Sequence, residues 1–466
     1  MNKKLIVLCL GLSFGVYAHS EGADVIVIGS GGAGMTSALT AAENGKKVIV
    51  LEKMMIIGGN TNRAAGGLNA ANSVLQKANG AEDSAERMSN DAIKAGHYLN
   101  NPELTLTLGK NARYAIDYLL SLGANFCHRN SIGAAQTAAR GHPVCDGGPA
   151  GAEIMRVLSK AAKNNPNIKI ITNAKVDKIL MKDGKVVGVD AEIGKDKHKQ
   201  VFDAKAIVLA TGGFGANAEL VTSLRPEYKG FATTNHPGAL GEGLKLATDA
   251  GAVLVDTREI QTMPTVVPGK ELVSEGVRAA GAYLVNKQGK RFMNELLPRD
   301  VVSKGILAQT DGHAFLIFDE KYRSKNKLAQ GYVQKGMTVQ GNNVQELAKA
   351  MGVPENELKK TIDRYTELYK AKKDIDFGRP QIADPMNVFP LYAAWVTPAV
   401  HHCMGGVRIN KETEVIGMNG KPIPGFYAAG EVTGGVHGGN RIGGNALADI
   451  VTFGRIAGKN AANFAN

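Results

Sequence analysis

The sequence of 466 residues contains only four cysteines, and no two of them have the spacing C-x-x-C or C-x-x-C-H. A zinc cluster needs closely spaced cysteine or histidine ligands, and a covalently attached haem needs C-x-x-C-H, so neither a metal site nor a haem is predicted in this chain. Cys9 lies in the N-terminal apolar segment, which leaves Cys127, Cys145 and Cys403. Three cysteines do not form a disulfide framework, but a single bridge between Cys127 and Cys145 is one of the alternatives.

Beyond its first residues, the sequence has no run of the roughly 18 apolar residues that a membrane helix needs, so no transmembrane segment is predicted. The N-terminus itself carries Lys3 and Lys4, then an apolar stretch over 5–16, then Val16-Tyr17-Ala18, with small residues at the outer positions. This pattern is typical of a Sec-type signal peptide, and no twin arginine precedes it. We therefore expect a signal peptide over 1–18 and an exported, periplasmic protein.

The sequence also lacks an acidic bias, internal repeats and low-complexity segments. Its formal net charge is +12, and about +10 without Lys3 and Lys4. Nucleic acid is not an expected partner of an exported protein, so the positive charge favours a small anionic substrate or an acidic protein. With 44% hydrophobic and 21% charged residues, the chain is long enough for a large core and two or three domains.

The clearest motif is an apolar run, 25–28, that leads directly into Gly29-Ser30-Gly31-Gly32-Ala33-Gly34. The spacing G-x-G-x-x-G after a strand predicts a tight turn and a helix start whose N–H groups hold a pyrophosphate. A second apolar run, 48–51, ends in Glu52, about 20 residues further on, where a carboxylate can accept ribose hydroxyls. These features predict a dinucleotide-binding site.

The remaining pattern indicates a cofactor-binding layer that is interrupted and later resumed. Helical periodicity covers about 82–98, 102–122 and 150–164, and alternation over 168–210 predicts antiparallel strands. The layer resumes at 425–431 and ends in a helix from about Asn445. Between them, 274–402 is predicted to be a separate module, with a strand pair around 283–291 and an amphipathic helix from Pro354 to about Lys372.

Six ordered motifs over the mature chain resemble the flavoprotein of the fumarate reductase/succinate dehydrogenase family, closest to its soluble periplasmic flavocytochrome c branch of fumarate and methacrylate reductases. They are Gly29–Gly34 with Glu52, Ala210-Thr211-Gly212-Gly213, Ser274-Glu275-Gly276-Val277-Arg278, Asn294-Glu295 with Arg299-Asp300, His401–Gly406 and His437–Asn445. The resemblance implies an α/β fold, with a Rossmann-like FAD-binding domain interrupted by a smaller α+β clamp domain. The implied boundaries are 1–18 for the signal peptide, 19–273 for the first part of the FAD-binding domain, 274–402 for the clamp and 403–466 for its C-terminal part.

The cofactor that this resemblance implies is FAD. Where membrane-bound relatives attach FAD through a histidine, this chain has Gly59-Asn60-Thr61-Asn62, so we expect non-covalent binding. The soluble relatives carry an N-terminal multihaem domain that this chain lacks, so electrons are expected from a separate c-type cytochrome, as in anaerobic respiratory electron transport. The residues expected to contact FAD are Gly29, Gly31, Ala33, Gly34, Glu52, Lys53, Gly59, Asn60, Thr61, Ala65, Gly66, Gly67, Thr211, Gly212, Gly213, His402, Gly430, Glu431, Asn445, Ala446 and Leu447.

The implied reaction is reduction of the C=C bond of an α,β-unsaturated carboxylate. By resemblance, Arg441 and His401 bind the substrate carboxylate, a role that suits charge-assisted hydrogen bonds. Arg299 is the implied proton donor, re-protonated through Glu275 and Arg278. An arginine is normally always charged, so physical chemistry alone would not have chosen it as an acid. The alternatives are a buried structural histidine for His401 and a plain salt bridge for Glu275 and Arg278.

Met263 marks a departure from the family pattern. Fumarate reductases of this branch have His-Pro-Thr where this chain has Met263-Pro264-Thr265, and that histidine helps to bind the second carboxylate. Methionine is apolar, and Ser274 alone is a weak replacement. We therefore expect a monocarboxylic 2-enoate such as methacrylate, acrylate or crotonate as substrate. Fumarate, then urocanate or an arylacrylate, stay as alternatives, as does a non-catalytic flavin electron carrier.

Overall fold

The computed structural model describes residues 21–466, so the predicted signal peptide over 1–18 lies outside the described residues. The strands are β1 (Glu21–Ile28), β2 (Val48–Glu52), β3 (Leu68–Asn69), β4 (Gly141–His142), β5 (Ile168–Thr172), β6 (Ala174–Lys182), β7 (Lys185–Ile193), β8 (His198–Leu209), β9 (Leu254–Val255), β10 (Ile260–Val266), β11 (Tyr283–Val285), β12 (Ala314–Asp319), β13 (Val339–Gly341), β14 (Leu391–Cys403), β15 (Gly406–Arg408), β16 (Glu414–Ile416), β17 (Pro422–Ala428) and β18 (Thr433–Gly434).

Within residues 21–466, the helices include three short 3₁₀ turns, at Gly59–Arg63, Pro226–Tyr228 and Thr310–Gly312. The α-helices are α1 (Gly32–Glu43), α2 (Val74–Ala78), α3 (Ala85–Ala95), α4 (Pro102–Ser121), α5 (Ala150–Lys163), α6 (Ala218–Leu224), α7 (Glu242–Asp249), α8 (Glu275–Ala279), α9 (Arg299–Leu307), α10 (Glu320–Lys325), α11 (Lys327–Gln334), α12 (Val344–Met351), α13 (Glu355–Lys370) and α14 (Asn445–Phe464). In residues 21–466, none of them combines the length and the apolar character that crossing a bilayer requires.

The larger sheet has eight strands, with the order β16-β17-β8-β1-β2-β5 and with β6 and β7 attached through β8. The strands β17, β8, β1, β2 and β5 run parallel to one another. Parallel strands are covered on both faces, which explains why Val25–Ile28 and Val48–Leu51 are continuous apolar runs. Helices α1 and α14 pack against each other beside this sheet and bury its core. The α/β class predicted from the sequence is confirmed.

The second sheet is antiparallel, with the order β10-β14-β12-β11 and with β13 paired to β14. A separate hydrophobic core lies on it, drawn from residues between Val267 and Val396. Strands β10 and β14 continue past this core, and Ile260, Val400 and Cys403 at their far ends pack in a third core with Phe214 and Val221, which follow β8. The second core thus occupies much the same part of the chain as the predicted clamp, while the boundaries at 273/274 and 402/403 stay predictions.

Two local predictions are wrong in part. The antiparallel strands predicted over 168–210 are confirmed for β6, β7 and β8. The alternation did not separate from them the short strand β5, which runs parallel to β2 because helix α5 carries the chain back across the sheet as a crossover connection. The strand pair expected around 283–291 is reduced to one bridge between Val285 and Arg291, and β11 pairs with β12 instead. Both errors concern pairing between distant segments, which local alternation does not specify.

The bridge between Cys127 and Cys145 is formed, while Cys403 is a buried free thiol. The two cysteines are 18 positions apart in the sequence, and the loop between them is also held by an isolated β-bridge between Phe126 and Val144. Towards the second core, the N–H of Ala135 donates to the carbonyl of Leu296 at 3.1 Å. This loop, residues 127–145, therefore connects the two parts of the molecule.

Candidate active site

The G-x-G-x-x-G motif forms the turn between β1 and α1. Gly29 has φ +101°, a conformation that other residues rarely adopt, and a Cβ on Gly34 would lie 1.9 Å from the carbonyl oxygen of Gly29. Helix α1 has no side-chain cap at Gly31, and the N–H of Gly32 donates to the hydroxyl of Thr61 at 3.0 Å. The next N–H groups of the first turn, those of Ala33 and Gly34, have no partner within the helix and can hold an anion. At the end of β2, one oxygen of Glu52 accepts from the N–H and the hydroxyl of Ser30, at 2.9 and 2.6 Å.

Two adjoining cavities lie beyond this turn, of which the first is lined by it, and both share Asn60, Thr61, Glu431 and Ile450 in their walls. The first, of about 950 Å³, follows the glycine turn and reaches Glu52 and Lys53. The second, of about 1070 Å³, passes the small residues 64–67 and ends among buried arginines. Together they form one elongated space, as a dinucleotide with a reacting ring beside a substrate requires.

Most of the residues expected to contact FAD line these cavities. The first cavity is lined by Gly29, Gly31, Ala33, Glu52, Lys53, Gly59, Thr211 and Gly212, the second by Ala65, Gly66, Gly67, His402, Ala446 and Leu447, and both by Asn60, Thr61 and Glu431. Four others lie behind the walls: Gly34 under Gly29, Gly213 against Glu431, Gly430 against Ala33, and Asn445, whose Oδ1 accepts from Asn69 at 2.8 Å.

The site fits FAD in its polar groups as well as in its shape. The uncapped N-terminus of α1 suits the pyrophosphate, and the small residues 64–67 allow a flat ring to lie against the backbone. Among residues 21–466, the buried Nδ1 of His402 and Nε of Arg441 have no hydrogen-bond partner, although both side chains line the second cavity. Burial raises the pKa of Glu431, where the two cavities join.

Two arginines are paired with Glu275 at the inner end of the second cavity. Helix α8 places Glu275 and Arg278 on one face, and the N-terminus of α9 supplies Arg299. One carboxylate oxygen of Glu275 accepts from Nε of Arg299 at 2.7 Å and from Nη2 of Arg278 at 3.3 Å. Burial alone would raise the pKa of Glu275, but Arg299 and Arg278 outweigh it and hold that pKa at about 2. Arg278 lies behind Glu275 and is fully buried.

Gln261, on β10, joins Arg299 to Arg441. Its side-chain oxygen accepts from Nη1 of Arg299 and from Nη2 of Arg441, each at 3.1 Å. Burial, and next the nearby charge of Arg299, lower the pKa of Arg441 to about 9. Arg299 is paired with Glu275, whereas Arg441 donates only to neutral partners, Gln261 and the carbonyl of Ile442. The buried charge of Arg441 therefore favours an anionic ligand at this end of the cavity.

The two histidines on β14 differ in their surroundings. The Nδ1 of His401 lies 2.7 Å from the hydroxyl of Thr234, which fixes the ring at the cavity wall. His402 packs edge-on against His437, with ring centroids 5.4 Å apart. Burial, and then the charges of Arg299 and Arg441, lower the pKa of His401 well below its usual range, so its imidazole is neutral.

Met263 forms an apolar patch in the wall of the second cavity. It is buried with Val266 and Ala399, and Leu272 packs against the three of them. Ser274 lines the same cavity, and its hydroxyl accepts from the N–H of Gly276 at 3.2 Å as the N-cap of α8. The structure therefore brings together every residue that was expected to bind substrate: His401, Arg441, Ser274 and Met263.

Several residues of the site were missed in the sequence. Gln261 and Thr234 lie on segments without a motif, and only the pairing of β10 and the neighbouring bridge at Thr233 with β14 bring them to the arginines and to His401. Arg129 lines the second cavity from the disulfide loop. The one feature of the sequence that could have drawn attention to Arg129 is its position two residues after Cys127, which could form a disulfide bridge.

An elongated cavity that begins at a dinucleotide-binding turn and ends at paired arginines defines a flavin-dependent oxidoreductase acting on an anionic substrate. Comparison with known proteins supports this class. The model of the FAD-binding family described as FAD binding domain matches residues 24–447. A fumarate reductase (cytochrome) of Shewanella frigidimarina is 43% identical over 450 residues, which cover 96% of this chain and 78% of that protein.

A NADH:acrylate oxidoreductase of Vibrio harveyi is 33% identical and matches 95% of this chain but only 50% of its own length. The solved structure of a flavocytochrome c3 fumarate reductase in its open conformation superposes with a TM-score of 0.77 and 41% identity, over 96% of this chain and 79% of the other. The chain therefore belongs to the FAD-binding flavoprotein family of the fumarate reductases, in its soluble branch, and is an FAD-dependent oxidoreductase.

Proposed function

We propose that this protein reduces the C=C bond of α,β-unsaturated carboxylates. The observation that carries the proposal is the group of Arg441, Gln261, Arg299 and Glu275 at the inner end of a cavity that starts at the dinucleotide-binding turn. The relatives that share the fold are named as fumarate and acrylate reductases. An electron carrier without a substrate needs no such group of buried arginines, which argues against that alternative.

In this proposal Arg441 and His401 bind the substrate carboxylate. A guanidinium offers two parallel N–H donors to a carboxylate, and the neutral imidazole adds a donor without further positive charge. When bound, FAD supplies the hydride that is added to the β-carbon. The two side chains stabilise the negative charge that develops on the carboxylate in the transition state, and such bonds are worth more in a site from which water is excluded.

Arg299 is the proposed donor of the proton to the α-carbon. Its Nε is hydrogen-bonded to Glu275, and Glu275 is also paired with Arg278, so a proton lost from Arg299 can be replaced along this row. Glu275 is ionised at rest and orients Arg299; after the transfer it takes a proton from Arg278 and passes it to Arg299, which returns Glu275 to its ionised form. Glu275 and Arg278 therefore act as a relay in this proposal, and Arg299 alone contacts the reacting carbon.

Among small substrates we propose a monocarboxylic 2-enoate, such as methacrylate, acrylate or crotonate, over fumarate. The apolar contacts of Met263 with Val266, Ala399 and Leu272 support this preference, because a carboxylate placed against them would be buried without a partner. The variant Met263→His is expected to raise kcat/KM for fumarate relative to crotonate by about tenfold, the effect of one charge-assisted hydrogen bond.

The measurement is oxidation of reduced methyl viologen by the FAD-loaded protein with fumarate, methacrylate, acrylate, crotonate and urocanate at matched concentrations. Met263→Leu is the matched control, since it keeps an apolar side chain of similar volume. Faster turnover of fumarate than of crotonate by the unmodified protein would show a fumarate reductase instead. Faster turnover of urocanate would point to an arylacrylate-type substrate.

We further propose that FAD is bound without a covalent link, that a separate c-type cytochrome supplies the electrons, and that the protein is periplasmic. Asn60 lies in the segment 59–62, the region in which membrane-bound relatives carry the attaching histidine, and its amide donates to Asn235 at 2.7 Å and to Glu431 at 3.1 Å. An amide is not a nucleophile towards the flavin, which supports non-covalent binding. The periplasmic location rests on the sequence pattern of residues 1–18.

A further inference from the structure

Arg129 is a cation in the wall of the second cavity that the proposed reaction does not use. Its Nε is buried and has no hydrogen-bond partner among residues 21–466. Glu275 is the acidic residue whose charge acts on Arg129, but it makes its ion pairs with Arg299 and Arg278 instead. Burial lowers the pKa of Arg129, and an unpaired guanidinium in such surroundings favours an anion that can enter the cavity.

The guanidinium of Arg129 is held in place by neighbouring backbone and is not a mobile group on the surface. The N–H of Arg129 donates to the carbonyl of Gly141 at 2.9 Å inside the loop that the disulfide closes. A Cβ on Gly141 would lie 2.8 Å from Nη2 of Arg129, and a Cβ on Gly133 would lie 3.0 Å from the same atom. The side chain thus occupies a slot between two glycines, in which larger residues would displace it.

The slot directs Arg129 towards Ser274. A Cβ on Gly276 would lie 3.5 Å from the hydroxyl oxygen of Ser274 and 3.9 Å from Nη1 of Arg129, so both polar groups reach the same edge of α8. Arg441 and His401 form the other polar part of this cavity, and Met263 belongs to its apolar patch. The cavity therefore offers two positively charged positions, only one of which the reacting carboxylate occupies.

We propose that Arg129, with Ser274, binds a second acidic group of the substrate, remote from the reacting double bond. This inference rests on the proposed function and deepens it. Met263 disfavours a carboxylate attached directly to the double bond, as in fumarate, whereas Arg129 selects longer 2-enoates that end in a carboxylate. A guanidinium recognises such a group by two parallel N–H donors, which a neutral chain end cannot accept.

The test compares two acids of equal length that differ only at the far end. Binding of adipate and of hexanoate to the FAD-loaded protein is measured by isothermal titration calorimetry, and reduction of hex-2-enedioate and of hex-2-enoate by viologen oxidation. Arg129→Gln is expected to weaken adipate binding about tenfold and to change hexanoate binding less than about twofold. Arg129→Lys keeps the charge but not the two parallel donors and should give an intermediate loss.

The matched control is Arg156→Gln, which removes the same charge from the surface of α5, where Arg156 pairs with Glu153. Equal losses for both acids, no loss for either, or a lower FAD content in Arg129→Gln would overturn the role of Arg129 as a selector of the second acidic group. If the unmodified protein binds neither acid and reduces no enoate, the proposed function itself fails. Turnover of hex-2-enoate without discrimination by Arg129 would overturn this inference alone.

Discussion

Among single residues, Arg299 has the role that depends most on its neighbours, because an arginine donates a proton only where a partner restores it. Its Nε is bonded to Glu275, and its Nη1 is bonded to Gln261. We expect Arg299→Gln to lower kcat for enoate reduction by about a thousandfold, within the range observed when a general acid is removed. Arg299→Lys keeps the charge and should recover part of the rate.

The assay for this prediction is viologen oxidation under saturating enoate, with FAD content measured on the same samples. Because Arg299 makes no contact with the dinucleotide-binding turn, both variants should keep their FAD. Arg441→Gln provides the comparison, since loss of a carboxylate ligand should raise KM as well. A rate in Arg299→Gln close to that of the unmodified protein would mean that another group donates the proton.

Below the pKa of Arg441, about 9, the pH dependence of the reaction follows from Glu275 and His401. The lowered pKa of Glu275, about 2, keeps its carboxylate ionised above that pH, and the lowered pKa of His401 keeps the imidazole neutral at higher pH. Neither group therefore titrates in the neutral range. We expect kcat/KM to be flat between about pH 5 and about pH 8, where an unperturbed histidine would change its charge. A profile with a midpoint near that of free histidine would contradict the neutral state of His401.

The motifs of the sequence were sufficient to predict some residues of the candidate site and insufficient to predict others. Arg441, His401 and Arg299 stand in continuous motifs, so a resemblance identifies them without a structure. Gln261 and Thr234 have no local pattern, and their contacts depend on the register between β10, the segment at Thr233 and β14. Arg129 reaches the cavity because a disulfide and two glycines place it there, which is a property of packing alone.

Among the elements, the turn between β1 and α1 makes the most specific demand on the sequence. A Cβ on Gly34 would meet the carbonyl oxygen of Gly29 at 1.9 Å, so Gly34→Ala must move backbone atoms at the proposed pyrophosphate position. We expect this variant to lose most of its FAD and to be destabilised by about 2 kcal/mol or more, as for other overpacked sites. FAD per chain from absorbance and the thermal midpoint provide the measurement.

The matched control is Gly22→Ala at the start of β1, where an added Cβ would meet no atom within 4 Å. Its FAD content should equal that of the unmodified protein. Acid precipitation of the unmodified protein should release all FAD into the supernatant, as expected for a non-covalent cofactor. Retention of FAD in the pellet, or normal FAD content in Gly34→Ala, would contradict these expectations.

The elements also show where sequence patterns stop being informative. The apolar runs before Gly29 and Glu52 predicted β1 and β2, because strands buried on both faces consist of continuous apolar residues rather than of alternating ones. The alternation over 168–210 predicted the antiparallel strands β6, β7 and β8 but not the separate strand β5, whose parallel pairing with β2 is set by the crossover through α5. The sequence did not decide whether Cys127 and Cys145 form a bridge, since a separation of 18 positions does not fix the distance between two side chains.

For the whole molecule, two cores surround a cavity that contains both the FAD position and the buried arginines. The sequence predicted the α/β class and the interrupted FAD-binding layer, because long buried strands and glycine turns carry a local pattern. How β10 and β14 pass from one core to the other was not predictable, since their pairing joins residues more than a hundred positions apart.

The source of electrons is also a property of the whole chain. The sequence has one G-x-G-x-x-G motif, whose turn borders the cavity proposed for FAD, and no C-x-x-C-H for a haem. The matched part of the NADH:acrylate oxidoreductase is only half of that protein, so its NADH site can lie in the half that this chain does not match.

We expect NADH to support no turnover above that of Arg299→Gln, whereas reduced methyl viologen supports turnover. A reduced multihaem c-type cytochrome should replace viologen with a rate that saturates as its concentration rises, since a protein donor must dock before it transfers electrons. Turnover with NADH at a rate similar to that with viologen would instead require a second nucleotide position in this chain and would contradict the proposed cytochrome donor.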